Sequence, residues 1–318
     1  MRTEFTFCSA DGKTEIHAVR WEPEGKPTGI LQITHGMAEH IERYADFAEY
    51  VAGKGMLCVG MDLLGHGKSI VREEQLGFFA QPNPSGVLLE DMHALRTRVQ
   101  RENPDLPYFM LGHSMGSYLL RKYLAFHGEG LAGALIISTG NVPAAAARMG
   151  IQLCKMAATF RGWNYRSAAI ENLALGGGAY KLFDQTGKEP EKSWLTRDVA
   201  IVRRYYADPC CGFRFTVNGF RGLFEAIVFD GSADSTEKLP HDLPLIIASG
   251  DQDPVGDLGK GPRAVAERYR DAGQRDVTLK LYPDARHEIL NELNRAEVWA
   301  DLFSWMEGKM KAGKGENP

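Results

Sequence analysis

The chain has 318 residues, 44% of them hydrophobic and 25% charged, with a formal net charge of -4 at pH 7. That composition is ordinary for a soluble globular protein with one large core plus an insertion, and the charge gives no reason to expect nucleic acid or a strongly anionic membrane as partner. No apolar run is long enough to cross a bilayer, the start Met1-Arg2-Thr3-Glu4-Phe5-Thr6 has no signal-peptide core, and the five cysteines (Cys8, Cys58, Cys154, Cys210, Cys211) are scattered without metal or redox spacing, so reduced thiols in a cytoplasm are expected.

Residues 3–8 and 15–21 read as an opening pair of strands, followed by strands at 30–34 and 56–61. Leu88, Met92, Leu95 and Val99 then fall on one face of a helix. A strand at 108–111, a turn at Ser114 and a helix over 118–126 follow, with another strand at 134–137. Alternating strands and helices predict an α/β fold, a mostly parallel sheet with helices on both faces. The alternation stops after Ile137 and resumes at Leu243, so a core of residues 1–140 and 240–318 is expected to carry an inserted, mainly helical cap over 141–239. Apolar strands at 243–248 and 277–282 close the sheet, and the glycine-rich polar tail from 308 is expected to fray.

The chemistry concentrates where these strands end. Gly112-His113-Ser114-Met115-Gly116 places a serine between two glycines on a strand-to-helix turn, the context of a nucleophile elbow. A serine hydroxyl needs a base, and the base needs an orienting acid. His287 follows the last strand and Asp253 the one before it, in the order serine, acid, histidine. Asp251 shares the loop with Asp253 but lies closer to the turn, where capping of backbone amides is the alternative use, so Asp253 is preferred. The loop is not a calcium loop, because Val255 stands where Asp or Asn would be needed. Backbone amides for a developing oxyanion would come from Met115, just after the nucleophile, and from Met37, in the loop after an early strand. His35, Glu39 and His40 fit neither H-E-x-x-H nor H-x-x-E-H, so no metal is expected.

His35-Gly36-Met37-Ala38-Glu39-His40, Asp62-Leu63-Leu64-Gly65-His66-Gly67-Lys68-Ser69, the serine elbow, Gly250-Asp251-Gln252-Asp253 and His287-Glu288 together resemble the α/β-hydrolases of the monoacylglycerol lipase and lysophospholipase type. The resemblance spans nearly the whole chain. It implies the triad Ser114, Asp253 and His287, oxyanion amides at Met37 and Met115, and no cofactor. It implies a structural role for Asp62 and His66 and a cap motif at Asp208-Pro209-Cys210-Cys211-Gly212-Phe213. In the cap, Met149, Leu153, Met156 and Phe160 fall on one helical face, and Val217, Phe220, Phe224 and Ile227 on another. With Gly176-Gly177-Gly178 between them, they are expected to form the apolar underside of a mobile lid. Met149, Leu153, Met156, Phe220, Phe224 and Ile227 would then line an acyl site.

The expected activity is hydrolysis of carboxylic esters of monoacyl lipids through an acyl-enzyme on Ser114, with transient contact with a membrane or micelle surface. Alternatives are a peptidase or amidase on the same scaffold, or a non-catalytic receptor for an apolar ligand. Head group, chain length and oligomeric state are not legible in the sequence.

Overall fold

The computed structural model describes residues 1–313. Its core is an eight-stranded sheet in the order β1-β2-β4-β3-β5-β6-β7-β8, built from β1 (Arg2–Cys8), β2 (Glu15–Trp21), β3 (Ile30–Thr34), β4 (Leu57–Met61), β5 (Tyr108–His113), β6 (Gly133–Ile137), β7 (Leu245–Gly250) and β8 (Val277–Tyr282). β2 pairs antiparallel with β1 and β4, and β3 to β8 are parallel.

The central strands are continuously apolar because both faces are covered. Tyr108, Met110, Ala134 and Ile136 face one core together with α2 (Pro84–Glu102), α3 (Met115–His127) and α9 (Lys260–Asp271). Phe109, Leu111, Leu135 and Ile137 face the other together with α1 (Ala45–Gly53) and α10 (Arg295–Gly313). The predicted stripe Leu88, Met92, Leu95, Val99 is fully buried on α2. The tail departs from expectation: α10 runs to Gly313, because Met306 is buried against the sheet and Met310 packs on the same cluster. Residues 314–318 of the predicted frayed tail lie outside the described residues.

Strand order places the site. From β3 the chain moves to β4 on one side and then crosses to β5 on the other, so the loops after β3 and β5 diverge at a topological switch point. Register aligns Thr34 with Gly112 and Gly250 with Tyr282, so paired loops leave the sheet at one level.

Between β6 and β7 lies a helical cap made of α4 (Ala144–Arg161), α5 (Ala168–Leu175), α6 (Val199–Ala207), α7 (Val217–Asp230) and α8 (Asp234–Glu237), with short 3-10 turns. The faces of α4 correct the sequence reading. Its buried residues are Ala147, Gly150, Cys154 and Ala158, whereas Met149, Met156 and Phe160 are 53%, 56% and 80% exposed. The small residues win the interface because α7 presents aromatic rings that need close approach: a Cβ on Gly150 would sit 2.6 Å from the Phe224 ring. Phe220 is likewise core, stacked on Phe224 and meeting the Phe215 ring edge-on. No helix among the described residues is long and apolar enough to cross a membrane.

Candidate active site

Ser114 stands between β5 and α3 with φ 55° and ψ -119°, a strained conformation for a residue with a side chain. The flanking glycines are required by close approach. A Cβ at Gly112 would lie 2.3 Å from the Gly116 carbonyl oxygen, and one at Gly116 would lie 2.3 Å from that of Thr34 and 2.5 Å from that of His35. Serine at a helix start normally caps it, yet the Ser114 side chain makes no cap bond, so its hydroxyl is left for the cavity above the sheet. Its amide donates to the Ile137 carbonyl at 3.0 Å, which ties the turn to β6.

His287 and Asp253 meet through the loops after β8 and β7. His287 Nδ1 is 3.0 Å from Asp253 Oδ1, with both residues buried. Asp253 also accepts from the Ser249 hydroxyl at 3.1 Å and the Val255 amide at 2.9 Å, so its carboxylate is held at three points. Gly250 lets the two loops touch, since a Cβ there would lie 2.0 Å from the Ala285 carbonyl oxygen. Asp251 is used elsewhere: it accepts from the Asp284 amide at 2.8 Å and bridges the same two loops at the surface. The His287 carbonyl accepts from Ser138 Oγ at 2.6 Å. The His287 ring lies between His113, 4.7 Å away between centroids, and Trp194 of the cap, 5.0 Å away and near parallel. Ser114 and His287 line the same cavity, although no hydrogen bond joins them.

Met37 and Met115 line that cavity as well. Among the described residues neither amide donates to a protein acceptor. The Met115 amide lies at the positive end of α3, which favours negative charge. The loop carrying Met37 is braced by its neighbours. Gly36 donates to Glu39 Oε1 at 2.6 Å, Ala38 donates to His66 Nε2 at 3.3 Å, and Leu63 donates to His35 Nε2 at 2.9 Å. Burial, with His35 nearby, pushes the His66 imidazole down to about 3, so it stays a neutral acceptor. Asp62 receives the amides of Ile41 and Lys68, the loop-forming role its motif implied.

A charged network that the sequence reading missed lines the same cavity. Arg43 holds Glu288 through two 2.7 Å bonds and Glu39 through one of 2.5 Å. The Tyr44 hydroxyl donates to Glu39 at 2.8 Å and lies 2.8 Å from His113 Nδ1. Burial pushes the Glu39 carboxyl up, but Arg43 and His113 outweigh it and hold it well below the carboxylate range. Burial pulls His113 down, yet its hydrogen bond to Glu39 and the charge there raise it above the usual imidazole range.

The cavity has a volume of about 520 Å³. Of the six cap residues expected to line it, Met149, Phe224 and Ile227 do. Leu153, Met156 and Phe220 do not, because α4 turns its small-residue face inward and Phe220 points into the core. Leu173, Leu175 and Leu223 line it instead.

A family model described as serine aminopeptidase, S33, matches residues 25–294. The chain belongs to that family. This α/β-hydrolase is 28% identical to a monoacylglycerol lipase of Mycolicibacterium smegmatis, over 96% of this chain and 97% of that one, and 26% identical to the monoglyceride lipase of Mus musculus, over 96% and 91%. Its fold superposes with a TM-score of 0.88 on a thermostable carboxyl esterase from Bacillus coagulans in complex with glycerol, 31% identical over 97% of this chain and 99% of that one. It is an α/β-hydrolase of the monoacylglycerol lipase type.

Three residues of the hydrolase's charged network left a trace in the sequence. Glu39 and Arg43 stand one helical turn apart, and Glu288 adjoins His287. Trp194 left none, since nothing local marks a cap residue that stacks on a histidine 93 positions later.

Proposed function

We propose that the protein hydrolyses carboxylic esters of monoacyl lipids, a monoacylglycerol in preference to a lysophospholipid, through an acyl-enzyme on Ser114. His287 takes the Ser114 proton as the hydroxyl attacks the ester carbonyl, and Asp253 orients the imidazole and stabilises its charged form. The Met37 and Met115 amides receive the oxyanion. His287 then returns the proton to the leaving alcohol and activates the water that releases the fatty acid. The same reading takes residues 141–239 as the cap and the cytoplasm as the setting, on the strength of the scattered cysteines.

The observation that carries this reading is that one cavity holds both a charged and an apolar cluster beside Ser114. Core loops bring His113, Glu39, Arg43 and Glu288 together, and the cap contributes Met149, Leu173, Leu175, Leu223, Phe224 and Ile227 along with the polar Glu171, Asn172, Gln185, Thr186 and Arg214. Polar and apolar lining in one cavity suits an ester of a hydrophilic alcohol with an acyl chain. Arg43 is committed to Glu39 and Glu288, and Arg214 to Glu171, so the wall offers neither guanidinium free to a phosphodiester head group, which favours a neutral polyol. An aminopeptidase would need a carboxylate free to hold an ammonium, and Glu39 and Glu288 are both committed to Arg43.

The test is active-site labelling with a fluorophosphonate, followed by turnover of matched monoacylglycerol, lysophospholipid and fatty-amide substrates. Labelling should vanish in Ser114→Ala while the fold persists, and monoacylglycerol should turn over fastest. Labelling that survives Ser114→Ala refutes the nucleophile. Faster amide than ester cleavage refutes the substrate class.

A further inference from the structure

The loop after β3 and the segment after α6 meet at a second place, outside the cavity that holds Ser114. His40 Nε2 lies 2.8 Å from Asp208 Oδ2, and the Cys211 thiol joins them: these nitrogen, oxygen and sulfur atoms are all within 4.8 Å of one another. His40 and Asp208 are half-buried and Cys211 is buried. The backbone that carries them is held by other atoms, and these three side-chain atoms contact one another. Gly212 donates to the Ala38 carbonyl at 2.9 Å and Cys211 to the Asp208 carbonyl at 3.0 Å. Cys210 donates to the other carboxylate oxygen of Asp208 at 2.8 Å. A cavity of about 200 Å³ opens onto His40 and Asp208, with Glu42 and Asp46 in its wall beside Arg43 and Arg204. Its ionised wall groups therefore comprise three carboxylates against two guanidiniums.

We propose that His40, Asp208 and Cys211 form a binding site for a zinc-class divalent cation, separate from the serine centre. The donor set decides the class. Imidazole, thiolate and carboxylate together suit Zn²⁺, whereas Mg²⁺ and Ca²⁺ require oxygen ligands alone. Three protein ligands leave the fourth tetrahedral position to water. Tetrahedral donors around zinc stand roughly 3.4–3.6 Å apart, so side-chain rotations of about 1 Å bring the three atoms into place. On binding, the Cys211 thiol proton passes to solvent, the proton that His40 Nε2 gives to Asp208 leaves Nε2 through solvent, and the neutral imidazole keeps its single proton on Nδ1 while Nε2 turns its lone pair to the metal. The linear pattern His35, Glu39, His40 could not reveal this site, because two of its ligands arrive from the cap. Since His40 follows Met37 by three residues, occupancy pins the loop that carries the Met37 amide to the cap.

The test uses the full chain stripped of metal by a chelator, titrated with Co²⁺ and then competed with Zn²⁺. Wild type should bind one Co²⁺ with thiolate-to-cobalt charge-transfer absorption in the near ultraviolet, and Zn²⁺ should remove that signal. Zinc at about a hundredfold above its dissociation constant should raise Tm by about 5 °C. Cys211→Ser should abolish the charge-transfer absorption and Cys210→Ser should retain it. His40→Gln and Asp208→Asn should weaken binding by more than the roughly tenfold that loss of an outer partner costs. Circular dichroism checks each fold. If Cys211→Ser does not fold, the His40 and Asp208 variants carry the test. A folded wild type without the absorption, an absorption that follows Cys210 rather than Cys211, or unchanged affinity in both the His40 and Asp208 variants overturns the proposal.

Discussion

Replacing Asp253 by asparagine tests the proposed orienting role of this side chain apart from its charge. Asp253 Oδ1 contacts both His287 Nδ1, at 3.0 Å, and the Val255 amide, at 2.9 Å, while Oδ2 accepts from Ser249 Oγ at 3.1 Å. An asparagine whose carbonyl takes the Oδ1 position keeps the first two bonds, and its amide can donate to the Ser249 hydroxyl, which rotates to accept. The flipped asparagine would set N–H groups against the Val255 N–H, and a buried unsatisfied donor costs about 1–3 kcal/mol. Asp253→Asn should therefore preserve the proton on His287 Nδ1 and lose only the charge that stabilises the imidazolium. With charge centres about 4 Å apart and an effective dielectric near 20, that attraction is about 4 kcal/mol, or roughly 10³-fold in kcat/KM. A wrong tautomer would cost ~10⁴-fold. The assay is kcat/KM on a soluble ester, paired with proton NMR of the His287 Nδ1–H resonance. Asp251→Asn, whose carbonyl can still accept from Asp284, should stay within about threefold of wild type. A 10⁴-fold loss together with disappearance of the resonance would refute the orientation argument. Equal losses at 251 and 253 would refute the choice of acid.

The cap wall should set chain-length preference. Catalytic efficiency on a series of p-nitrophenyl esters should climb by up to about fourfold per methylene, the equivalent of ~0.8 kcal/mol each. Ile227→Ser in the wall should flatten that climb and Met156→Ser on the outer face should not; the reverse pattern would show that the lining is misassigned. Gly116→Ala should cost about 1–3 kcal/mol by urea titration and also lower kcat, because its Cβ would push the Thr34 and His35 carbonyls and with them the Met37 loop; wild-type stability would contradict the close approach. His17 lies 2.9 Å from Asp62 and 2.8 Å from Glu4 with Lys68 nearby; burial lowers its pKa, but the two carboxylates outweigh burial and raise it overall. A raised folded-state pKa contributes stability that is complete below about pH 6.5, the unfolded value, and is lost as pH rises through the folded value. The urea midpoint of wild type relative to His17→Gln should thus fall between pH 6.5 and the folded value, and a difference that grows with pH would contradict the pairing.

Much of this protein is determined by local constraints that a sequence displays. Gly112 and Gly116 are needed because neighbouring backbone passes within a Cβ's reach, and a strand, a tight turn and a helix in succession write that need into adjacent residues. The order of Ser114, Asp253 and His287 follows from each lying just past a strand of one parallel sheet, and apolar runs mark those strands. What required the tertiary structure is every choice between equivalent local options. A helical period marks the faces of α4 but not which one meets α7, and the aromatic rings of α7 selected the small residues. Asp251 and Asp253 share a loop, and only the position of the β8 loop pairs Asp253 with His287 while leaving Asp251 to Asp284. Arg43 meets Glu288 across 245 positions, and His40 meets Asp208 across 168. Such pairings depend on how the cap and the histidine loop close over β3, and Coulomb attraction acts on distance in space with no trace in chain spacing.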